Sequence, residues 1–131
     1  MDVLELLGNL TSVRVTGTSG ARLLLDVAGA AGWIWIVEER AGIAVQIDVN
    51  NVSDAWLRKT SLLLGAGDDT EEFCLILDGG KVWLYRTYSL AMTPVEWEAN
   101  LGLLMTVAHF LANNAARKIE RAVVGGVGRL A

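Results

Sequence analysis

Phe73-Cys74-Leu75-Ile76-Leu77-Asp78-Gly79-Gly80-Lys81-Val82-Trp83-Leu84-Tyr85-Arg86-Thr87 is the stretch whose reading decides the fold. The apolar run Phe73–Leu77 is too short for a stable helix and is bounded by turn residues. Asp78-Gly79-Gly80 supplies positive φ at little steric cost, so the chain turns back as a hairpin. The returning strand, Lys81–Thr87, is rich in aromatic and β-branched residues. Further on, Thr93-Pro94-Val95-Glu96 starts a helix. Thr93 caps it, Pro94 brings a helical φ to the first position, and Glu96 stands where a capping box places its carboxylate. Trp97, Leu101, Leu104, Ala108, Leu111, Ala115 and Ile119 then recur at three- or four-residue steps along one helical face.

Upstream of the hairpin the elements are shorter. Val3, Leu4, Leu6, Leu7 and Leu10 beside Asp2 and Glu5 make a short amphipathic helix, with its acids near the positive end of the dipole. Val13–Thr16 alternates as a short strand, and Gly17-Thr18-Ser19-Gly20 reads as a turn. Arg22–Val27, Trp33–Val37 and the alternating Ile43–Val49 are further strands. Ser53 or a neighbour caps a second helix over Ala55–Leu64, which Gly65-Ala66-Gly67 ends with a glycine in the left-handed region. The order is helix, three or four strands, helix, two strands, long helix. Short turns make the sheet antiparallel, so the expected fold is α+β: a twisted five- or six-stranded sheet with three helices in a compact two-layer sandwich. Residues 1–131 read as a single domain, with 124–131 a frayed tail after the glycines at 125, 126 and 128.

Composition narrows the function. A 131-residue chain can bury roughly two-thirds of the surface its unfolded form exposes, so it needs no disulfide or metal staple. Its apolar fraction of 53% against 20% charged residues is high for so small a protein, and points to a second copy or a partner that covers the excess. A net charge of -4 without a basic run argues against nucleic acid and anionic membranes. The single cysteine excludes an internal disulfide and fits a reducing cytoplasm. The N-terminus lacks a signal-peptide pattern, and no apolar run nears the about 18 residues that would span a bilayer. The sequence therefore predicts a soluble cytoplasmic protein without membrane insertion.

No catalytic constellation is present. His109 is the only histidine and lies one position off the apolar stripe of the last helix, without a second proton-transfer group at a useful spacing. Cys74 sits in an apolar strand, a setting for an inert thiol. One His and one Cys cannot complete a zinc set, and Asp68, Asp69, Glu71 and Glu72 lack calcium-loop spacing. Neither glycine cluster follows a strand and opens a helix, as a phosphate cradle must. We expect no enzyme activity, no metal and no cofactor.

The five tryptophans carry more information. Trp33 and Trp35 share one face of a strand whose other face holds Ile34 and Ile36, and a strand apolar on both sides needs cover on both. Three helices cover one side only. The second face is then either internal core or the seat of an apolar partner segment. Trp83 and Tyr85 share a hairpin face, while Trp56 on the second helix suits core, dimer seam or ligand groove alike.

With this order in hand, the chain resembles the class I chaperones of bacterial type III secretion, small acidic cytoplasmic homodimers with the order α-β-β-β-α-β-β-α. The resemblance spans nearly the whole chain and is strongest over Ala55–Ala115. There a leucine-rich second helix (Leu57, Leu62, Leu63, Leu64) precedes the hairpin Phe73–Leu84, the link Tyr88-Ser89-Leu90 and a capped last helix with Leu104, Phe110 and Leu111. A shorter first helix and the extra alternation at Val13–Thr16 depart from the pattern.

The resemblance implies a virulence-associated chaperone that binds the N-terminal segment of one secreted effector without ATP, keeping it extended, soluble and secretion-competent. It places Leu4, Leu7, Trp33, Trp35 and Val37 at the partner-binding surface. It places Trp56, Leu63, Cys74 and Ile76 at the homodimer interface. The secretion apparatus is a further partner it suggests. Two other readings stay open: an adaptor or regulatory protein-binding domain of the same sandwich, and a small enzyme or apolar-ligand carrier. The last requires a deep pocket lined by Trp33, Trp35 and Trp83.

Overall fold

In the computed structural model of the chain, residues 3–49, 52–67 and 72–124 are described. Helix α1 (Val3–Gly8) leads into strands β1 (Val13–Ser19), β2 (Arg22–Val27), β3 (Ala30–Val37) and β4 (Arg40–Ile47). Helix α2 (Asp54–Ala66), strands β5 (Cys74–Asp78) and β6 (Lys81–Ser89), and helix α3 (Pro94–Val124) complete the order. The six strands form one antiparallel sheet in the order β1-β2-β3-β4-β6-β5. The connection through α2 drops β6 beside β4 and leaves β5 at the far edge. The fold is the expected α+β arrangement with three helices and six strands.

Local chemistry accounts for the boundaries. Gly79 and Gly80 both take positive φ (63° and 76°) and close a two-residue turn between Asp78 and Lys81, as the hairpin reading required. The capping box forms: the Thr93 N–H donates to Glu96 Oε1 at 3.2 Å, and the Glu96 N–H donates to Thr93 Oγ1 at 3.2 Å. Ser53 caps α2 by accepting from the Trp56 N–H at 3.0 Å.

Three expectations need correcting. Four strands precede α2, one more than the resemblance implied. β1 runs through Gly17 and Thr18, read from sequence as turn, because a bulge between Val15 and Gly17 absorbs one residue and lets pairing with β2 continue. Gly67, which ends α2, is extended (φ -85°, ψ 138°) instead of left-handed. Its N–H still reaches the Leu64 carbonyl at 3.4 Å, so the helix stops without needing glycine's conformational freedom. Ala115, Ile119, Asp68, Asp69, Glu71 and the tail beyond Val124 have side chains or backbone outside the described residues.

The core lies on one face of the sheet. Leu25, Val27, Ile34, Ile43, Val45, Ile47, Val82 and Leu84 project there and pack with Leu6 and Leu7 of α1, with Leu10 just beyond it, and with Trp97, Leu101, Leu104 and Leu111 of α3. Each such side chain contributes roughly 1.5–3 kcal/mol by leaving water, and this burial holds helices and sheet together. Leu64 of α2 joins the same cluster, with Trp56 and Leu57 partly buried against it. The buried apolar residues of the helices all belong to this inner cluster; Trp33 and Ala44, also buried, stay outside it.

Candidate protein-binding surfaces

The register assigns the second sheet face residue by residue. Arg22, Leu24, Trp33, Trp35, Gly42, Ala44, Trp83, Tyr85, Cys74 and Ile76 alternate with the core residues and share that outer face. Trp33 lies at its centre, with ring centroids 5.7 Å from Tyr85 and 6.3 Å from Trp83. The Arg22 guanidinium caps the Trp33 ring at 4.0 Å and pairs with Asp78 at 3.0 Å. Arg22 is on β2 and Asp78 ends β5, with β3, β4 and β6 between them. In a flat sheet those strands would stand roughly 19 Å apart. The ion pair therefore requires strong coiling, which folds the outer face over its own aromatic residues. Gly42 permits this, since a Cβ there would run into the Tyr85 ring.

The partner-binding candidates differ in exposure. Trp33 is only 3% exposed, covered by its neighbours without any helix, and Leu7 is core at 2%. Trp35 (42%) and Val37 (51%), from the same strand, do reach solvent. Leu4 is exposed as well, but α1 packs with the core side, so Leu4 and Trp35 lie on opposite layers. The five candidates, expected on patches of the sheet and the first helix, thus lie on two surfaces and in the interior.

The residues assigned to the homodimer are placed differently. Leu63 and Cys74 are exposed, while Trp56 and Ile76 are half-buried on α2 and β5. α2 packs against β5, and Leu62 and Leu77 add to the exposed apolar surface of these two elements. Sequence reading did not single out Leu62 or Leu77 as surface residues. Their flag is available only in hindsight: Leu62 and Leu63 are consecutive with buried Leu64, and a helix cannot turn three successive leucines to one side. Leu103 and Phe110 form a further exposed pair on one flank of α3.

Nothing among the described residues assembles reaction chemistry. Cys74 is exposed, yet partial burial pushes its thiol above the usual range, away from the thiolate a nucleophile needs. No group of three or more metal-ligating side chains occurs among the described residues. A cleft of about 570 Å³ opens between the β2–β3 turn and the middle of α3, with His109 and Asp48 on its walls. Trp33, Trp35 and Trp83 do not line this cleft. No described helix is long and apolar enough to cross a membrane.

No family model matches the chain, and no curated protein matches it. Solved structures do. A chain of the HopA1–SchA chaperone–effector complex superposes with a TM-score of 0.57 at 14% identity, over 76% of this chain and 80% of that one. A chain of the ExsC–ExsE complex superposes with a TM-score of 0.60 at 19% identity, over 86% of this chain and 96% of that one. At such identities the likeness is one of fold. Three helices, a six-stranded antiparallel sheet and these neighbours together give the chain a class I type III secretion chaperone-like fold.

Proposed function

We propose that this protein is a type III secretion chaperone that acts as a homodimer and binds the N-terminal segment of a specific effector. It holds that segment extended and soluble until export, by surface complementarity alone and without ATP. The observation that carries the reading is the fold shared with a chain of the HopA1–SchA chaperone–effector complex and a chain of the ExsC–ExsE complex. The exposed apolar side chains support it, because Trp35, Val37 and Leu4 offer anchors that a monomer leaves wet. An acidic chain of net charge -4 suits a protein partner better than nucleic acid. The bacterial cytoplasm is where such a chaperone would work.

The test is co-expression with candidate secreted proteins encoded beside this one, followed by solubility and pull-down measurements on their N-terminal segments. Trp35→Asp is expected to leave mass and circular dichroism unchanged and to weaken capture by at least about 30-fold, as loss of a central aromatic anchor does. Capture of a folded protein, with none of an unstructured N-terminus, would replace this reading with that of an adaptor domain. If Trp35→Asp unfolds the protein, Trp35 belongs to the interior and the site lies elsewhere.

A further inference from the structure

Helix α3 is apolar on both sides. Its inner side, with Trp97, Leu101, Leu104, Ala108 and Leu111, is buried in the core. On its outer side Val95, Ala99 and Leu103 make one row at four-residue steps, Gly102, Thr106 and Phe110 make the next, and all six are exposed. No Asp, Glu, Lys or Arg occurs between Glu98 and Arg117. The outer side of a surface helix ordinarily carries charge, and a helix apolar all round is one that is covered all round. Two details indicate what covers this one. A Cβ at Gly102 would meet nothing within 4 Å, so no packing within the chain asks for glycine there, although glycine weakens a helix interior. The Thr106 hydroxyl donates to the Gly102 carbonyl at 2.9 Å, so its polar group is already bonded when another surface approaches. Small residues at the middle of the face let a second helix come close, and the large ones stand around them.

From this we infer that the occupant is α3 of a second copy, packed antiparallel about a two-fold axis that passes between Gly102 and Leu103. The face is complementary to itself in that arrangement. Leu103 crosses level with the partner's Gly102, Ala99 comes level with the partner's Thr106, and Val95 with the partner's Phe110. At each end Glu96 comes level with the partner's His109, an acid near the chain's one histidine. A parallel arrangement would instead set Phe110 against Phe110 and Glu96 against Glu96, large on large and acid on acid. Copies of net charge -4 repel one another generally, and this face has the fewest charges to oppose contact. The contact spans Val95 to Phe110, roughly 23 Å of helix, and a single helix pair is smaller than a standard interface. It therefore forms at higher concentration than association through α2, and links dimers into larger assemblies. The inference goes beyond the proposed function and does not depend on it, since the same contact would pair monomers.

Sedimentation equilibrium from micromolar to near-millimolar concentration reads the contact. The wild-type mass is expected to rise at least twofold across that range, whichever species exists at its lower end. Leu103→Glu with Phe110→Glu is expected to abolish the rise while circular dichroism and effector capture stay unchanged. No rise in wild type, or a rise that survives in this variant, overturns the pairing and leaves the chaperone reading standing. Loss of effector capture in a folded variant also overturns it, by giving the face to the client. Should the double variant not fold, Gly102→Leu decides, because its side chain enters space that is open in the single chain and blocks only the close approach. A lost rise then supports the pairing, and an unchanged one rejects it. Orientation is read with a short bis-maleimide, which adds one thiol across each of its double bonds and needs no oxidant. Near the upper concentration Cys74→Ser/Leu103→Cys is expected to become a covalent dimer. Cys74→Ser/Val95→Cys is expected to stay as free chains, its thiols being roughly 23 Å apart along the antiparallel pair. Cross-linking that is equal at the two positions overturns the antiparallel arrangement.

Discussion

At the scale of single residues, Trp33 and Trp35 show how little alternation alone decides. They point the same way from one strand, yet Trp33 is roofed by Arg22 and flanked by Trp83 and Tyr85, whereas Trp35 stands beyond that cover. Arg86 does similar work on the other face, lying over both Phe73 and Tyr88 while pairing with Glu72. Tyr88 is packed against Trp97 with ring centroids 5.6 Å apart, and its hydroxyl is pushed up to about 12. Burial is the main cause; Arg86 opposes it and Glu72 adds to it. The unfolded chain releases this proton near pH 10, so above that value the unfolded state binds fewer protons than the native one. Stability from Tyr88 is accordingly complete below pH 10 and lost as pH rises from 10 to about 12, by something of the order of 2–3 kcal/mol. Urea titrations across that window should show the decline, and Tyr88→Phe should flatten it. An equally steep fall in the variant would remove Tyr88 as the cause.

At the scale of elements, turns and caps separate glycines that the backbone requires from those it merely tolerates. Gly80 holds φ 76° inside the β5–β6 turn, so Gly80→Ala should cost about 1 kcal/mol in a thermal or urea melt. Gly67 at the end of α2 holds φ -85°, which alanine adopts freely, so Gly67→Ala should change stability by less than about 0.5 kcal/mol. Equal effects at the two sites would contradict this difference in backbone. α3 shows the converse case, an element specified almost wholly by local pattern. Its capping box forms as spelled, and Trp97, Leu101, Leu104, Ala108 and Leu111 are all buried as their spacing requires.

At the scale of the whole molecule, the apolar excess settles where the layers run out. The helices serve one face, the outer face curls over part of itself, and exposed apolar side chains remain on α1, α2, β5, the end of β3 and a flank of α3. Leu62→Glu with Leu63→Glu should therefore shift the chain toward monomer in light scattering while circular dichroism stays unchanged; a persistent dimer would move the seam away from α2. The sequence by itself determined the elements and their order, because hairpin turns, caps and helical periodicity are local and each is written within a few residues. It also determined the absence of any spacing suited to known catalytic or metal-binding patterns. Only the tertiary structure decided which tryptophan is roofed and which is free, that Leu7 is interior, and that β1 continues past Gly17. Those outcomes depend on sheet coiling and a bulge, which bring Arg22 to Asp78 across 56 positions of sequence. Contacts of that range have no periodicity for a linear reading to detect.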